Sequence, residues 1–323
     1  MKIGLDTESC HLLFHNGLMD IFSFIKKTAD SGLDGIMINI IGGMEGDNEK
    51  YIHPKWGCLG GSDPVHLEKV RKEIQKYGLY AEVAMRGIDS EALAEAVEVS
   101  NKIGADLLRT YCCFGKYDSE ILKKAPENFK KIVPLLKKYR IKFAIENHEE
   151  ETADEIIDII KKVDSPWVGS HCDIGNSMMA WEEPSTAVNK LAPYSFTSHF
   201  KDHIIIPDGD EYKICGVPLG KGNIDIEECF KILFEKSTLT RINIEMTYPF
   251  LSIFKRKKGT GGVFELGKGS FKIENPVFIF EKHMPNDYYY PPKEYLEMMI
   301  EEQKKGLEKS IIYMKQIRDK YCQ

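Results

Sequence analysis

Lys142-Phe143-Ala144-Ile145-Glu146-Asn147-His148-Glu149-Glu150-Glu151-Thr152 decides the fold. A short apolar run ends in a carboxylate, passes through a polar turn and reaches Thr152, with Glu155 three residues on. Thr followed by Glu at that distance is the signature of a capped helix start. The stretch therefore reads as strand, loop, helix. Glu149, Glu150 and Glu151 read as a solvated run whose charge suits a helix N-terminus.

The unit recurs outward in both directions. Candidate strands are Lys2–Asp6, Gly35–Ile40, Ala81–Ala84, Leu107–Thr110, Lys142–Glu146, Val168–Asp173, Phe196–Phe200 and Ile242–Glu245. Helical apolar spacing lies between them, as in Leu18, Phe22, Ile25 and Ala29 or Ile226, Cys229, Phe230 and Leu233. Ile300, Leu307, Ile311 and Met314 continue a stripe near the end. Further helix starts are expected at Asp63-Pro64, Asp89 and Ser185. Strand–helix alternation implies right-handed crossovers and a parallel sheet. Eight such units predict an α/β fold, a closed (β/α)8 barrel, as a single domain over 1–323. An open doubly wound sheet would advertise a phosphate loop after the first strand, but Asp6-Thr7-Glu8-Ser9 is not glycine-rich. Gly216–Gly222 (GVPLGKG) is a weak glycine match in the wrong place. Met246 to Pro291 reads as a long insertion between the eighth strand and the last helix. It opens with the basic stretch Lys255–Lys258, read as a partner face or pocket cover, and closes with Phe278, Phe280, Tyr288, Tyr289 and Tyr290.

Composition narrows the function classes. With 44 Lys+Arg and 50 Asp+Glu the formal charge is 44 − 50 = −6, a poor match for a phosphate backbone. No nucleic-acid partner is expected. No apolar run approaches the ~20 residues of a membrane span, so no membrane partner is expected either. Met1–Asp6 reads as a strand rather than a secretion signal, and the eight cysteines show no CxxC spacing. A cytoplasmic chain with reduced thiols is the expectation.

In a barrel of this kind the active site forms at the C-terminal ends of the strands. There the sequence places Glu146, Asp173, His199 and Glu245, on four successive strands. Three carboxylates so close would repel one another unless a cation joined them. One divalent metal ion is therefore expected on Glu146, Asp173, His199 and Glu245. Mn2+ or Mg2+ suits the oxygen-rich set best, with Zn2+, Fe2+ and Co2+ as the other candidates. Residues two apart share a strand face, so His148, Lys201, His171 and Asn243 follow or precede the ligands on the same side. His148 is the candidate general base, or else a neighbour bound to a carboxylate. Lys201 is a candidate for holding an oxyanion, or else a partner for Asp202. Arg109, Tyr111, Trp56 and His171 are candidate substrate contacts.

FAIENH, SHCDIGN, SHFKD and INIE, in that order, resemble the xylose isomerase-like TIM-barrel superfamily of sugar isomerases and epimerases. The resemblance implies one divalent metal, often Mn2+, on the matching Glu, Asp, His and Glu. In the epimerases of that family the matching glutamates, here Glu146 and Glu245, also move the proton next to a ketone. His148, the HCDIGN and SHFKDH stretches and the long segment after Glu245 are most similar to the alpha subunits of C-glycoside deglycosidases. That resemblance implies a carbon–carbon lyase acting on a 3-keto C-glycoside, with a small beta subunit as partner. The expected course is C2 proton removal by His148 or a glutamate, enediolate formation and loss of the aglycone. Rival expectations are a keto-sugar epimerase or isomerase, a DNA-repair endonuclease and a non-catalytic sugar sensor.

Overall fold

Eight parallel strands close on one another: β1 (Lys2–Asp6), β2 (Gly35–Asn39), β3 (Tyr80–Ala84), β4 (Leu107–Thr110), β5 (Lys142–Glu146), β6 (Val168–Asp173), β7 (Ser195–Phe200) and β10 (Arg241–Ile244). Their order around the barrel is β1-β10-β7-β6-β5-β4-β3-β2. The structure is a computed structural model and describes residues 1–41, 52–248, 250–275 and 289–322. Phe278, Phe280 and Tyr288 lie outside the described residues.

Around the barrel pack α2 (Ile21–Asp30), α3 (Pro64–Lys76), α4 (Ser90–Ile103), α5 (Ser119–Tyr139), α6 (Ala153–Val163), α7 (Pro184–Leu191), α8 (Ile226–Lys236) and α9 (Lys293–Tyr321), with the short α1 (His11–His15) after β1. Asp63, Asp89 and Thr152 cap their helices as expected, Thr152 within a reciprocal capping box with Glu155. Ser185 does not cap α7, because Pro184 fixes the first helical position and Glu183 precedes it. The buried face of α2 is Ile21, Phe24, Ile25 and Thr28, while Leu18 falls before the helix and is exposed.

The lower end of the barrel closes on a polar plug. Buried Glu82 accepts from Thr197 Oγ1 at 2.8 Å and Asn243 Nδ2 at 2.9 Å, and pairs with Arg241. Asn243 therefore serves the plug, one layer below the strand ends.

A second sheet was not expected. β8 (Asp202–Asp208) and β9 (Glu211–Val217) form a hairpin, and β11 (Leu251–Ser252) adds antiparallel to β9. The GVPLGKG stretch ends that hairpin and wraps a carboxylate of the chain itself. Asp202 accepts from the backbone N–H of His203 (2.9 Å), Gly220 (3.0 Å), Gly222 (2.8 Å) and Ile224 (3.2 Å). Asp202 is thereby fully occupied and does not pair with Lys201. All eight cysteines are free thiols, seven of them buried. Among the described residues no helix is long and apolar enough to cross a membrane.

Candidate active site

The strand ends of β5, β6 and β7, with Glu245 just past β10, bring three carboxylates around one imidazole. His199 Nδ1 lies 3.1 Å from Glu245 Oε2, 3.6 Å from Asp173 Oδ2 and 3.8 Å from Glu146 Oε1. Its other nitrogen, Nε2, lies 3.2 Å from Asp6 Oδ2 and 3.1 Å from Met37 Sδ. Burial disfavours the His199 cation, but Glu245, Asp173 and Asp6 outweigh that and hold the imidazole protonated well above its usual range; a metal ion on Nδ1 would take the place of that proton. Two overlapping groups of ligand atoms, each within 4.8 Å, meet at His199: Glu146, His171, Asp173 and His199, and Asp6, His199 and Glu245. The expected ligand set draws on both.

Neighbours orient each carboxylate. Asp173 Oδ1 accepts from the N–H of Gly175 (2.8 Å) and Asn176 (2.9 Å). Asn147 exchanges two 2.9 Å bonds with the Asp173 backbone, locking β5 to β6. Glu146 lies 2.8 Å from Arg109 Nε and accepts from Asn176 Nδ2 at 3.1 Å. Lys201 Nζ lies 2.8 Å from Asp173 Oδ2 and also contacts Glu245.

The charges are mutually dependent. Burial works against ionising Asp173, but Lys201 and His199 hold it well below the usual carboxylate range. Glu245 is lowered too, against its burial, by His199 and Lys201. Burial raises Glu146 despite Arg109. Glu146 Oε2, Asp173 Oδ2, Glu245 Oε2 and His199 Nδ1 are buried and make no well-formed hydrogen bond. Arg109 and Lys201 pair with these three anionic oxygens, which still converge with the imidazole nitrogen, and the donor set fits a divalent cation.

Above them opens a cavity of about 440 Å³. Glu8, Arg109, Asn176, Lys201 and Glu245 give it a polar floor; Ile41, Tyr111, Phe114, Phe250 and Ile253 give it apolar walls. His148 also lines it, stacked on Tyr111 with centroids 3.8 Å apart and planes at 13°. Burial disfavours its cation, yet Glu150, Glu146 and Glu149 outweigh that and push it up to about 9.

Glu146, Asp173, His199, Glu245, Lys201, Arg109, Tyr111 and His148 are thus brought together. Two expected substrate contacts are not. Trp56 is 5% exposed in the hydrophobic core and does not line the cavity. His171 is buried edge-on against His199, centroids 4.1 Å apart, also off the cavity wall. The acidic run is not solvated: Glu150 and Glu151 are buried, Glu151 accepts from Cys113 N–H at 2.7 Å, and Glu149 lies 3.2 Å from Lys255. Arg256 donates to the Glu150 carbonyl at 2.6 Å and to Glu155 at 3.0 Å. The first half of the basic stretch is therefore turned inward, binding the insertion to the loop that carries His148.

Three site residues escaped the sequence reading. Asp6 and Asn176 were inside quoted motifs; their positions at the end of β1 and just past β6 were the available signal. Glu8 sits on the cavity floor, hydrogen-bonded to Tyr289, and burial, Glu245 and Asp6 push its carboxyl up to about 8.

Comparison with known proteins agrees with this fold. Residues 25–257 match the family described as xylose isomerase-like TIM barrel. The chain is 24% identical over 200 residues (61% of it, 56% of the relative) to the uncharacterized protein YihM of Escherichia coli K12. It is 23% identical over 151 residues (46% of it, 53% of the relative) to 3-oxo-isoapionate decarboxylase of Pectobacterium atrosepticum. The chain thus spans about half the length of these curated relatives. Among solved structures, a D-psicose 3-epimerase superposes with a TM-score of 0.61 at 14% identity, covering 95% of this chain and 97% of that one. The IOLI protein, solved with a zinc atom, superposes at 0.60 and 15% identity, covering 96% and 98%.

Proposed function

As the chain belongs to the xylose isomerase-like TIM barrel family, we propose that it is a metal-dependent carbon–carbon lyase that releases the aglycone from 3-keto C-glycosides. One observation carries the choice: besides the buried ionic floor, the cavity lining includes the rings of Tyr111, Phe114 and Phe250, and His148 is stacked on Tyr111. A free ketose would leave the Tyr111–Phe114 wall uncovered. An aryl glycoside fills both parts, its sugar on the floor and its ring on the wall. The 3-oxo compound named for the Pectobacterium relative, and the carbon–carbon bond its name says it breaks, support the same class of chemistry.

Glu146, Asp173, His199 and Glu245 would hold the ion, Mn2+ for so oxygen-rich a set. When bound there it supplies Lewis acidity for a ketone oxygen. Glu245, the ligand carboxylate that lines the floor, takes the C2 proton. The ammonium of Lys201, beside it, stabilises the enediolate charge. His148, against the aromatic wall, delivers a proton to the aryl carbon as its bond to C1 breaks and C1=C2 forms. One proton leaves C2 and one reaches the aglycone, so no oxidant or water is consumed. The reading includes a small partner subunit; Ile253, Phe264 and Ile273 of the insertion are exposed and offer it apolar surface.

The test is a product assay. The Mn2+-loaded chain, alone and with a small second subunit, is incubated with a 3-keto aryl C-glucoside and separately with free keto-sugars. Aglycone release, lost in His148→Ala with metal retained, is expected. If the aglycone stays attached while a ketose epimerises, the chain is a keto-sugar epimerase instead.

A further inference from the structure

Four Arg or Lys side chains line the cavity: Arg86, Arg109, Lys201 and Lys255. Three face carboxylates. Arg109 lies 2.8 Å from Glu146, Lys201 2.8 Å from Asp173 and Lys255 3.2 Å from Glu149. Arg86, half-buried just beyond β3, has no carboxylate partner among the described residues. Its guanidinium carbon stands 4.8 Å over the ring of Phe114, which is 49% exposed. Phe114 in turn lies 6.2 Å from the Tyr111 ring, at 39°. A guanidinium resting on an aromatic face keeps its in-plane N–H donors free. The residues just past β3 and β4 thus present a wall of two tilted rings, Tyr111 and the half-exposed Phe114, with a cation unmatched by a carboxylate over the latter.

We infer that this wall is a subsite for an aromatic anion, a phenolate or aryl carboxylate, whose ring lies against Phe114 and Tyr111 and whose oxygen meets Arg86. The inference rests on the aryl-glycoside reading of the same cavity and narrows it to aglycones that ionise. A phosphate would satisfy Arg86 but would leave the aromatic surface uncovered. An ionised ring is also the better substrate. The phenolate oxygen raises electron density at the ortho and para carbons, and a sugar-bearing carbon there takes its proton more readily.

The test uses 4-nitrophenol, at a pH where it is ionised, and its methyl ether 4-nitroanisole, which cannot ionise, as probes of the full Mn2+-loaded chain. The anion should bind about tenfold tighter, the margin of one charge-assisted hydrogen bond. Arg86→Gln should bring the ratio to about one and leave nitroanisole binding unchanged. Phe114→Ala should weaken both. The inference is overturned if Arg86→Gln keeps the preference, if the wild type has none, or if equimolar inorganic phosphate displaces the nitrophenolate. Binding needs no turnover. An Arg86-dependent preference without aglycone release in the product assay would sink the lyase reading and leave the subsite standing. The opposite pair of results would do the reverse.

Discussion

Replacing Asp202 by Ala removes the acceptor for four backbone N–H groups at 2.8–3.2 Å, in a residue 1% exposed. A hydrogen bond to a charged group contributes about 1.5–3 kcal/mol, and each orphaned buried donor costs about 1–3. Burial pushes the Asp202 carboxyl up to about 7 against these four donors, so it is fully ionised only above that. The four bonds share one carboxylate and do not add, and at pH 8.5 the loss should be about 3–5 kcal/mol. At about 2.1 cal/mol/K per residue, 323 residues give an unfolding entropy of about 0.7 kcal/mol/K. The expected fall in Tm is then about 4–7 °C. Asp202→Asn keeps one carbonyl oxygen but turns an NH2 toward the donors, and should fall between. Calorimetry on chelator-treated protein reads this without a contribution from metal binding. Gly222→Ala attacks the same cradle, since a Cβ there would sit 2.1 Å from Asp202 Oδ1. Its effect should be less than additive with Asp202→Ala. A change below about 1 °C in Asp202→Ala would refute the reasoning, because the loop would then hold its shape without the carboxylate.

Three further outcomes are expected. Glu146→Gln, Asp173→Asn, His199→Ala and Glu245→Gln should each lower bound divalent metal, read by elemental analysis; full occupancy in all four would misplace the site. His15, packed on Tyr289 and near the Tyr290 hydroxyl, is pushed down to about 4 by burial, so it is neutral in the fold. Its contribution, about 2–3 kcal/mol, is fully present above the unfolded value near 6.5 and is lost as the pH falls from there toward 4. Urea unfolding at pH 7 and pH 5 should show a loss that His15→Gln reduces by about that amount without abolishing it, since buried His203 and His171, also pushed down, contribute in the same sense. Arg256→Ala cuts the tie to the Glu150 carbonyl and the 3.5 Å stack on Tyr117, and should lower kcat more than it raises KM, since the loop it holds carries His148.

Much of this was legible in the sequence because periodicity and strand-end chemistry are local. Lys142–Glu146 and Val168–Asp173 match to the residue, since each apolar run ends where the first ligand stands. The β8–β9 hairpin was missed although Asp208-Gly209 turns it and Ile204, Ile206, Cys215 and Val217 alternate into a small core of their own. It follows Phe200 after a single residue, so attention to the barrel repeat absorbed its first strand. Glu149–Glu151 looked solvated because burial of a charged run depends on partners far along the chain, here Cys113, Lys255 and Arg256. Trp56 was ambiguous for the same reason: a lone aromatic in a long loop has no periodicity to say which way it faces.

The formal charges on the floor suggest what the cation must be. Around His199, the carboxylates of Asp6, Glu146, Asp173 and Glu245 contribute four negative formal charges and Arg109 and Lys201 two positive ones, −4 + 2 = −2, while the His148 cation is matched by Glu150 above them. Glu8, with its carboxyl pushed up to about 8, adds nothing at neutral pH, and His199 binds a metal as a neutral imidazole. A divalent ion therefore brings the floor to neutrality. Lys201 competes with that ion, because its ammonium contacts two of the four ligands, Asp173 and Glu245. Lys201→Met should then bind the metal more tightly while losing turnover, since the floor becomes −3 and the charge facing the enediolate is gone. Two unit charges about 4 Å apart interact by about 4 kcal/mol near a protein surface, so a gain of at least about tenfold in affinity should survive screening. Competition with a chelating dye measures it. Weaker binding by Lys201→Met would mean that Lys201 positions the ligands rather than opposing the ion, and the charge balance would not be what selects a divalent cation.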